Sequence, residues 1–352
     1  MEEEIRNLIK IWLTVIPCLY YCYRVGNFIP KGFTRLIFFL PIISIFFFLP
    51  LNLHSPHLLG TTGFFLSWLA NFKLLLFAFS KGPLSSHPNI TFPLFLSLSC
   101  LPIKLQQKTN LGSKSQKHPS PKPKEGPVNY TIKGLCVAAL IKLYDYSEYI
   151  HPKVILLLYA FHIYFLLELI LAMVAALARA FIGLELEPQF DEPYLATSLQ
   201  DFWGRRWNLM VTSIMHPTVY EPTREIFSPV IGRRWAPLPA FFTTFLASGV
   251  MHELMFYYLA RLPPTGEITS FFLIHGFCST VEIGLKKLIS DRWRFPRVIS
   301  CLLTVGFVLV TGSWLFLPQF TKSRIDEKAF EDYAAVGAFV KNISKRALEI
   351  VV

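Results

Sequence analysis

The chain has 352 residues, of which 53% are hydrophobic and only 16% are charged, whereas an ordinary soluble domain carries about 25% charged residues. Its formal net charge is +11, and the basic residues lie in loops between apolar runs, which is typical of membrane orientation and of contact with anionic headgroups. This composition excludes a water-soluble fold, and nucleic acid is not an expected partner.

Apolar runs long enough to cross a hydrocarbon layer of about 30 Å recur along the chain, without the alternation that barrel strands require. Because the backbone in lipid must be satisfied within each segment, these runs are predicted to be helices and the fold to be all-α. The strong runs are at residues 8–23, 36–53, 59–80, 152–182, 236–260, 267–286 and 297–317.

Two further segments are ambiguous. The run 91–103 is too short to cross straight, and 134–150 contains three charged residues. Short cytosolic loops are enriched in Lys and Arg, and placing all the basic loops on one face requires one of these segments to cross. We predict that 134–150 crosses and that 91–103 lies at the interface or re-enters. Residues 1–352 then form a single polytopic membrane domain of about eight transmembrane helices (roughly seven to nine), with both termini lumenal.

Segment 106–131 is poor in apolar residues and mixes Lys, Ser, Pro and Gly. It is predicted to be a basic mobile loop. A solvated linker and a contact for phosphates or headgroups are both compatible with this composition.

Residues 194–235 are predicted to form an interfacial region on the cytosolic side. Thr197 with Gln200 is a capping-box pattern, which indicates a helix start. In a regular helix Asp201, Arg205 and Asn208 would share one face. The opposite face would carry an apolar stripe of Leu199, Trp203, Trp207 and Met210. Such an amphipathic helix belongs at a membrane interface, where it could act only as an anchor or could border a site.

Residues 236–317 are predicted to be C-terminal helices that carry the most informative buried group, His252. At 1.5 Å per residue this histidine lies roughly 22 Å from Pro237 and about 13 Å from Arg261. Ionisable groups at such depth are functional hypotheses by default, and an uncharged imidazole there can act as a general base. The alternative is a histidine bonded to a neighbouring helix. Glu253 points about 100° away and is expected to be a structural partner, for example of an arginine.

Other buried histidines and the cysteines suggest no metal chemistry. His162 and His275 lie in apolar runs without an evident polar neighbourhood; both are expected to be core residues, and lining the channel is the alternative. The histidines are scattered, and His54-Ser-Pro-His57 has no further ligand motif, so no metal is assigned. A Gly-x-Ser-x-Gly elbow is also absent.

Two motifs carry a family resemblance. Asp201-Phe-Trp-Gly-Arg-Arg-Trp-Asn208, followed by Ser248-Gly-Val-Met-His-Glu253, resembles the paired signature of plant wax synthases, which are long-chain-alcohol O-fatty-acyltransferases of the membrane-bound O-acyltransferase (MBOAT) family. The stretches Pro188-Gln-Phe-Asp-Glu-Pro, Trp68-Leu-Ala-Asn-Phe-Lys and Thr311-Gly-Ser-Trp-Leu-Phe are similar to that subgroup as well. The part of the first motif from Phe202 to Asn208 is one residue longer than the Phe-Tyr-x-x-Trp-Asn of the wider family.

The resemblance implies an acyl-CoA-dependent O-acyltransferase that forms wax ester and CoA from a long-chain fatty alcohol and a fatty acyl-CoA. His252 would then be the catalytic base and Asn208 a second active-site residue. Trp203, Arg205, Arg206 and Trp207 are expected to bind substrate, with the two arginines holding the CoA phosphates. Acyl-CoA is a co-substrate, and no cofactor is expected. The expected location is the endoplasmic reticulum membrane, among membrane lipids.

Other functions remain open at this point. A sterol or another lipid alcohol could replace the fatty alcohol as acceptor. A membrane transporter is the alternative of another class, because buried charges such as Glu168, His252 and Glu253 could line a substrate path. A catalytically silent interaction protein is the third possibility.

Overall fold

The computed structural model describes residues 2–86, 90–102, 127–182, 189–288 and 295–351. These parts are helical throughout, with turns and no strand among them, which confirms the predicted all-α membrane class. The main helices are α1 (Glu2–Phe28), α2 (Phe33–Phe48), α3 (Pro56–Ala78), α4 (Phe92–Cys100), α5 (Pro127–Tyr144), α6 (Pro152–Ile182), α7 (Leu209–Met215), α8 (Glu221–Ile231), α9 (Pro237–Ala260), α10 (Glu267–Leu288), α11 (Arg297–Lys322) and α12 (Ile325–Val351).

Six of the described helices are long and apolar enough to cross a membrane, namely α1, α2, α3, α6, α10 and α11. They coincide with six of the eight predicted crossings. The predicted run 236–260 is α9, whose 24 residues give a length of about 36 Å. A count of about eight transmembrane helices is compatible with this arrangement.

The segment predicted as 134–150 is displaced in the structure. Helix α5 begins at Pro127 and ends at Tyr144. The Lys133 ammonium lies 2.8 Å from the Glu168 carboxylate of α6, and this pairing allows a charged residue inside the helix. The predicted basic loop 106–131 lies outside the described residues up to position 126, and its last residues belong to α5.

The segment predicted to lie at the interface or re-enter is the nine-residue helix α4. Its length of about 14 Å is less than half of the hydrocarbon thickness. The buried Lys73 side chain donates from Nζ to the carbonyls of Leu98 and Leu101, each at 2.7 Å. These bonds satisfy the C-terminal end of a helix that does not cross.

Hydrogen bonds define the two ends of the bundle. At one end Arg261 donates to the carbonyls of Leu51 and Leu53, and Glu4 accepts from the backbone of the same turn. At the other end the Gly32 amide donates to Ala78. We call the first end the acidic-helix end, because it holds the acidic N-terminal turns of α1 and α12. We call the second end the basic end, because predicted cytosolic basic loops lie there.

Helices α9 and α10 pack closely because glycines face the partner helix. A Cβ atom on Gly276 would lie 2.7 Å from the Phe245 Cβ, and one on Gly249 would lie 3.2 Å from the Thr269 Cα. Neither position has room for a larger side chain. The close approach brings the aromatic residues of α10 against the middle of α9, where His252 lies.

Candidate active site

His252 lies on α9, fifteen residues after Pro237 and eight before Ala260, or about 22 Å and 12 Å from the two helix ends. Its ring is half-buried among aromatic side chains. The ring centroids of Phe272 and Trp68 lie at 4.3 Å and 5.0 Å from it. The predicted depth is therefore realised within a helix bundle.

The hydrogen bond of His252 determines where its lone pair lies. Nδ1 is 2.8 Å from the carbonyl oxygen of Ser248, one turn earlier on the same helix. A carbonyl oxygen only accepts, so Nδ1 carries the hydrogen, and in the neutral ring the lone pair is on Nε2. Among the described residues Nε2 has no hydrogen-bond partner. A neutral imidazole in this tautomer can take a proton from a substrate.

The first motif is not the regular helix that the spacing predicts. Ser198, not Thr197, caps the helix start by accepting from the Asp201 amide, and the Asp201 carboxylate accepts from the Thr197 amide. Phe202–Arg206 then forms a π turn in which the Trp207 amide donates to the Phe202 carbonyl. The expectation that Asp201, Arg205 and Asn208 share one face is wrong, because the π turn changes the spacing.

Asn208 begins the next helix in a left-handed backbone conformation, with φ of 43°. Its Oδ1 accepts from the Val211 amide at 3.4 Å, which leaves the side-chain NH₂ group for another acceptor. Within the described ranges no hydrogen bond joins it to His252. The link is indirect: Met210 of α7 packs against Phe65 and Leu69 of α3, in the part of α3 that contains Trp68.

Trp203 turns toward α9 and α10. Its Nε1–H donates to Nδ1 of His275 at 3.1 Å, and its ring lies 5.7 Å from that of Phe245 and 6.0 Å from that of Phe272. Because Phe272 also stacks on His252, one ring separates the motif tryptophan from the candidate base.

His275 has no exposed surface and uses both of its ring nitrogens. Nδ1 accepts from the Trp203 indole, so Nε2 carries the hydrogen and donates to Thr311 Oγ1 at 2.8 Å. The expectation that this residue lacks a polar neighbourhood is wrong. Two residues of the sequence could have revealed this polar neighbourhood. Trp203 has an N–H that needs an acceptor when buried, and Thr311 begins the stretch Thr311-Gly-Ser-Trp-Leu-Phe, which is similar to the plant wax synthases.

The same expectation is wrong for His162. Its Nε2 lies 2.9 Å from the hydroxyl of Tyr333, a residue 171 positions later in the chain. No local pattern in α6 reveals such a partner.

The two motif arginines have different surroundings. The Arg206 guanidinium is bound by the Asp201 carboxylate at 2.8 Å and by the carbonyls of Asp191 and Glu192. Arg205 is exposed. Of the two, Arg205 is the one whose charge faces outward.

Trp207 packs with Phe202 at 5.5 Å and with Phe190 at 5.1 Å. The structure thus packs Trp203 against α9, which carries His252, and against α10. It packs Trp207 against Phe190 instead.

Glu253 holds the start of α10. Its carboxylate accepts from the amides of Gly266 and Thr269 and from the Thr269 hydroxyl. The expected structural role is correct, but the partner is a helix N-terminus, which favours a negative charge, and not an arginine. Glu168 is paired with Lys133 on the neighbouring helix.

Metal ligands do not gather at this site. Within the described ranges no group of three or more His, Cys, Asp or Glu side chains could hold a metal ion. The polar groups around His252 are instead single donors and acceptors among aromatic rings. The chemistry that they support is proton transfer in a dry site.

Comparison with known proteins decides the family. The family model described as "Membrane bound O-acyl transferase family" matches residues 186–274. Acyl-CoA–sterol O-acyltransferase 1 of Arabidopsis thaliana is 54% identical over 342 residues, which cover 97% of this chain and 98% of the relative. This chain belongs to the membrane-bound O-acyltransferase family.

Other relatives of this O-acyltransferase carry the name predicted from the motifs. A long-chain-alcohol O-fatty-acyltransferase of Simmondsia chinensis is 44% identical over 334 residues, which cover 95% of each chain. Probable long-chain-alcohol O-fatty-acyltransferase 3 of Arabidopsis thaliana is 43% identical and covers 97% of each chain. The predicted family and enzyme class are confirmed, and the matched region contains both Asn208 and His252.

Proposed function

We propose that this O-acyltransferase transfers a fatty acyl group from acyl-CoA to the hydroxyl of a lipid alcohol, with His252 as the general base. The observation that carries the proposal is the bond from Nδ1 to the Ser248 carbonyl. It holds the neutral ring with its basic nitrogen, Nε2, directed away from its own helix backbone.

In the proposed step, Nε2 of His252 takes the proton of the alcohol while the alcohol oxygen attacks the thioester carbonyl. The tetrahedral oxyanion collapses, the carbon–sulfur bond breaks, and the leaving CoA sulfur receives the proton from the imidazolium. The products are an ester and CoA. A thioester is already activated, so the base and a donor to the oxyanion account for the chemistry.

Asn208 is the proposed second active-site residue. Its Oδ1 caps α7, so the free NH₂ group is the part that can donate to a reacting oxygen. Arg205 is the proposed contact for the CoA phosphates, because its charge is exposed. Arg206 holds the motif in place through Asp201, and Trp203 and Trp207 form the aromatic wall beside the acyl group.

Two acceptor alcohols are candidates, and the names of the similar proteins support both. A sterol is favoured by the relative that is 54% identical, and a long-chain fatty alcohol by the relatives that are 40–44% identical and bear that name. The proposed location is the endoplasmic reticulum membrane, which a fluorescent fusion imaged with an organelle marker would test.

The acceptor is tested by competition. Purified protein receives radiolabelled acyl-CoA together with a fatty alcohol, a sterol and a diacylglycerol at equal concentration, and the labelled esters are separated. A sterol ester or a wax ester as the dominant product assigns the acceptor. If no ester forms while the protein is monodisperse, the proposed function is wrong.

The base is tested by His252→Ala and His252→Gln, which should lower kcat by about 10²–10⁴-fold, the usual contribution of a general base. The exposed His54 at the acidic-helix end provides the control, His54→Ala, which should keep full activity. A His252 variant with the wild-type rate would rule out the assignment.

A further inference from the structure

A second polar cluster lies away from His252, beside a cavity near the acidic-helix end. The cavity has a volume of about 210 Å³ and lies between α3, α6, α9, α11 and α12. Nearly all of its wall is apolar, formed by side chains such as Leu166, Leu167, Leu259 and Phe330. It has the character of a lipid site with a few polar groups at one side.

The polar side is built by pairs that join distant parts of the chain. Nε2 of His162 lies 2.9 Å from the Tyr333 hydroxyl, and the Tyr159 hydroxyl donates to Asp326 at 3.0 Å. His57 adds a third group, with Nδ1 2.9 Å from Asp332, and its ring packs on that of Tyr333. Of these groups His162 lies deepest, ten residues or about 15 Å from the start of α6, and ionisable groups at such depth tend to mark substrate paths.

One hydroxyl beside the cavity lacks a partner. Tyr144 is 7% exposed, and its OH has no hydrogen-bond partner among the described residues. Its ring lies 5.2 Å from that of Tyr159 and 5.7 Å from that of His162, which both line the cavity. Buried polar atoms are nearly always satisfied, so this hydroxyl, behind two residues of the cavity wall, is a spare polar group next to the cavity.

Two phenylalanine rings lie between the cavity and the candidate base. Phe320 lines the cavity, its ring lies 6.0 Å from that of Phe316, and Phe316 lies 6.1 Å from the ring of His252. Both phenylalanines pack in the same aromatic cluster. The cavity and the candidate base are therefore joined through a short chain of aromatic contacts.

We propose that this cavity binds the hydroxyl-bearing end of the acceptor alcohol before the alcohol reaches His252. The proposal rests on the proposed function. A volume below the roughly 300–1,000 Å³ of typical ligand sites fits the polar end of a lipid whose remainder lies in the bilayer. No lysine or arginine occurs among the described lining residues, so the site suits a neutral hydroxyl and not the phosphates of acyl-CoA.

The steric test fills the cavity with Leu167→Trp. This change should raise the KM for the alcohol about tenfold or more and leave the KM for acyl-CoA within about twofold of the wild-type value. Leu177→Trp is the matched control, because Leu177 lies on the same helix and is 49% exposed. The control should leave both KM values unchanged.

A milder variant covers the case in which Leu167→Trp does not fold. Tyr333→Phe keeps the ring and removes only the hydroxyl, and it should raise the KM for the alcohol about fivefold, the cost of one hydrogen bond. An equal rise in the KM for acyl-CoA would contradict a role confined to the acceptor.

Binding can also be measured without catalysis. In a His252→Ala background, a photoreactive long-chain alcohol with its diazirine near the hydroxyl should label peptides of α6 and α12, and excess unlabelled alcohol should prevent the labelling. Labelling that is displaced by phosphatidylcholine but not by alcohol would assign the cavity to a structural lipid and overturn the inference.

The outcomes separate the two proposals. If the wild-type protein forms ester while Leu167→Trp folds with an unchanged KM for the alcohol, the cavity inference fails and the proposed function stands. If the wild-type protein forms no ester, the proposed function fails, and the photolabelling result still decides whether the cavity binds an alcohol.

Discussion

The chain of hydrogen bonds through His275 allows a quantitative test by the nearly isosteric change Thr311→Val. It removes the Oγ1 atom that accepts from His275 Nε2 at 2.8 Å and barely changes the side-chain volume. Since His275 has no exposed surface, water cannot replace the lost acceptor. An unmet buried donor costs about 1–3 kcal/mol, so the variant should unfold at a lower temperature than the wild-type protein.

The measurement is the midpoint of heat-induced loss of the monodisperse peak for the detergent-solubilised protein. Thr304→Val on the same helix is the matched control. Thr304 is 7% exposed, and its hydroxyl donates only to the Ser300 carbonyl of its own helix. This variant should shift the midpoint far less than Thr311→Val.

A second background isolates the hydrogen bond. In a His275→Leu protein the Nε2 donor is already gone, so adding Thr311→Val should have almost no further effect on the midpoint. An equal loss in the two backgrounds would show that Thr311 contributes packing and not an acceptor, and the reasoning about His275 would fail.

Three further predictions concern other contacts. Arg205→Gln should raise the KM for acyl-CoA by about tenfold in steady-state kinetics. Arg206→Gln should mainly lower the melting temperature, because Arg206 already binds the protein itself. The reverse pattern would show that the two roles are exchanged. Gly276→Ala should destabilise the protein by about 1–3 kcal/mol, since its Cβ would meet Phe245, and a wild-type melt would contradict the close packing. Lys73→Met should lower the free energy of unfolding by about 1.5–3 kcal/mol for each hydrogen bond lost at the end of α4. Cysteines introduced along α4 should then react faster with a water-soluble thiol reagent. An unchanged reaction rate would refute the capping role.

Apolar length was enough to predict most of the membrane helices, because crossing a hydrocarbon layer imposes a minimum run that is visible in one sequence. The depth of His252 followed from the same rule. The start of α5 could not be predicted, because it depends on Lys133 meeting Glu168 of another helix, and a pairing between helices leaves no local pattern.

The candidate site was predicted in part. The motif residues and His252 could be named, but their geometry depends on long-range partners such as His275 for Trp203. Helical periodicity failed between Asp201 and Asn208, because it assumes 3.6 residues per turn and the chain forms a π turn there. The cavity beside Tyr333 was invisible to sequence patterns for the same reason, as its walls come from widely separated helices.

The π turn at Phe202–Arg206 has a consequence for engineering. A π turn closes its hydrogen bond over five residues instead of four, so it accommodates the one residue by which this motif exceeds Phe-Tyr-x-x-Trp-Asn. Removing Gly204 would shorten the loop to an ordinary turn and separate the Asp201 carboxylate from the Arg206 guanidinium, which now meet five positions apart. Grafting the shorter motif onto this scaffold would therefore require a redesigned partner for Asp201 as well as a deletion.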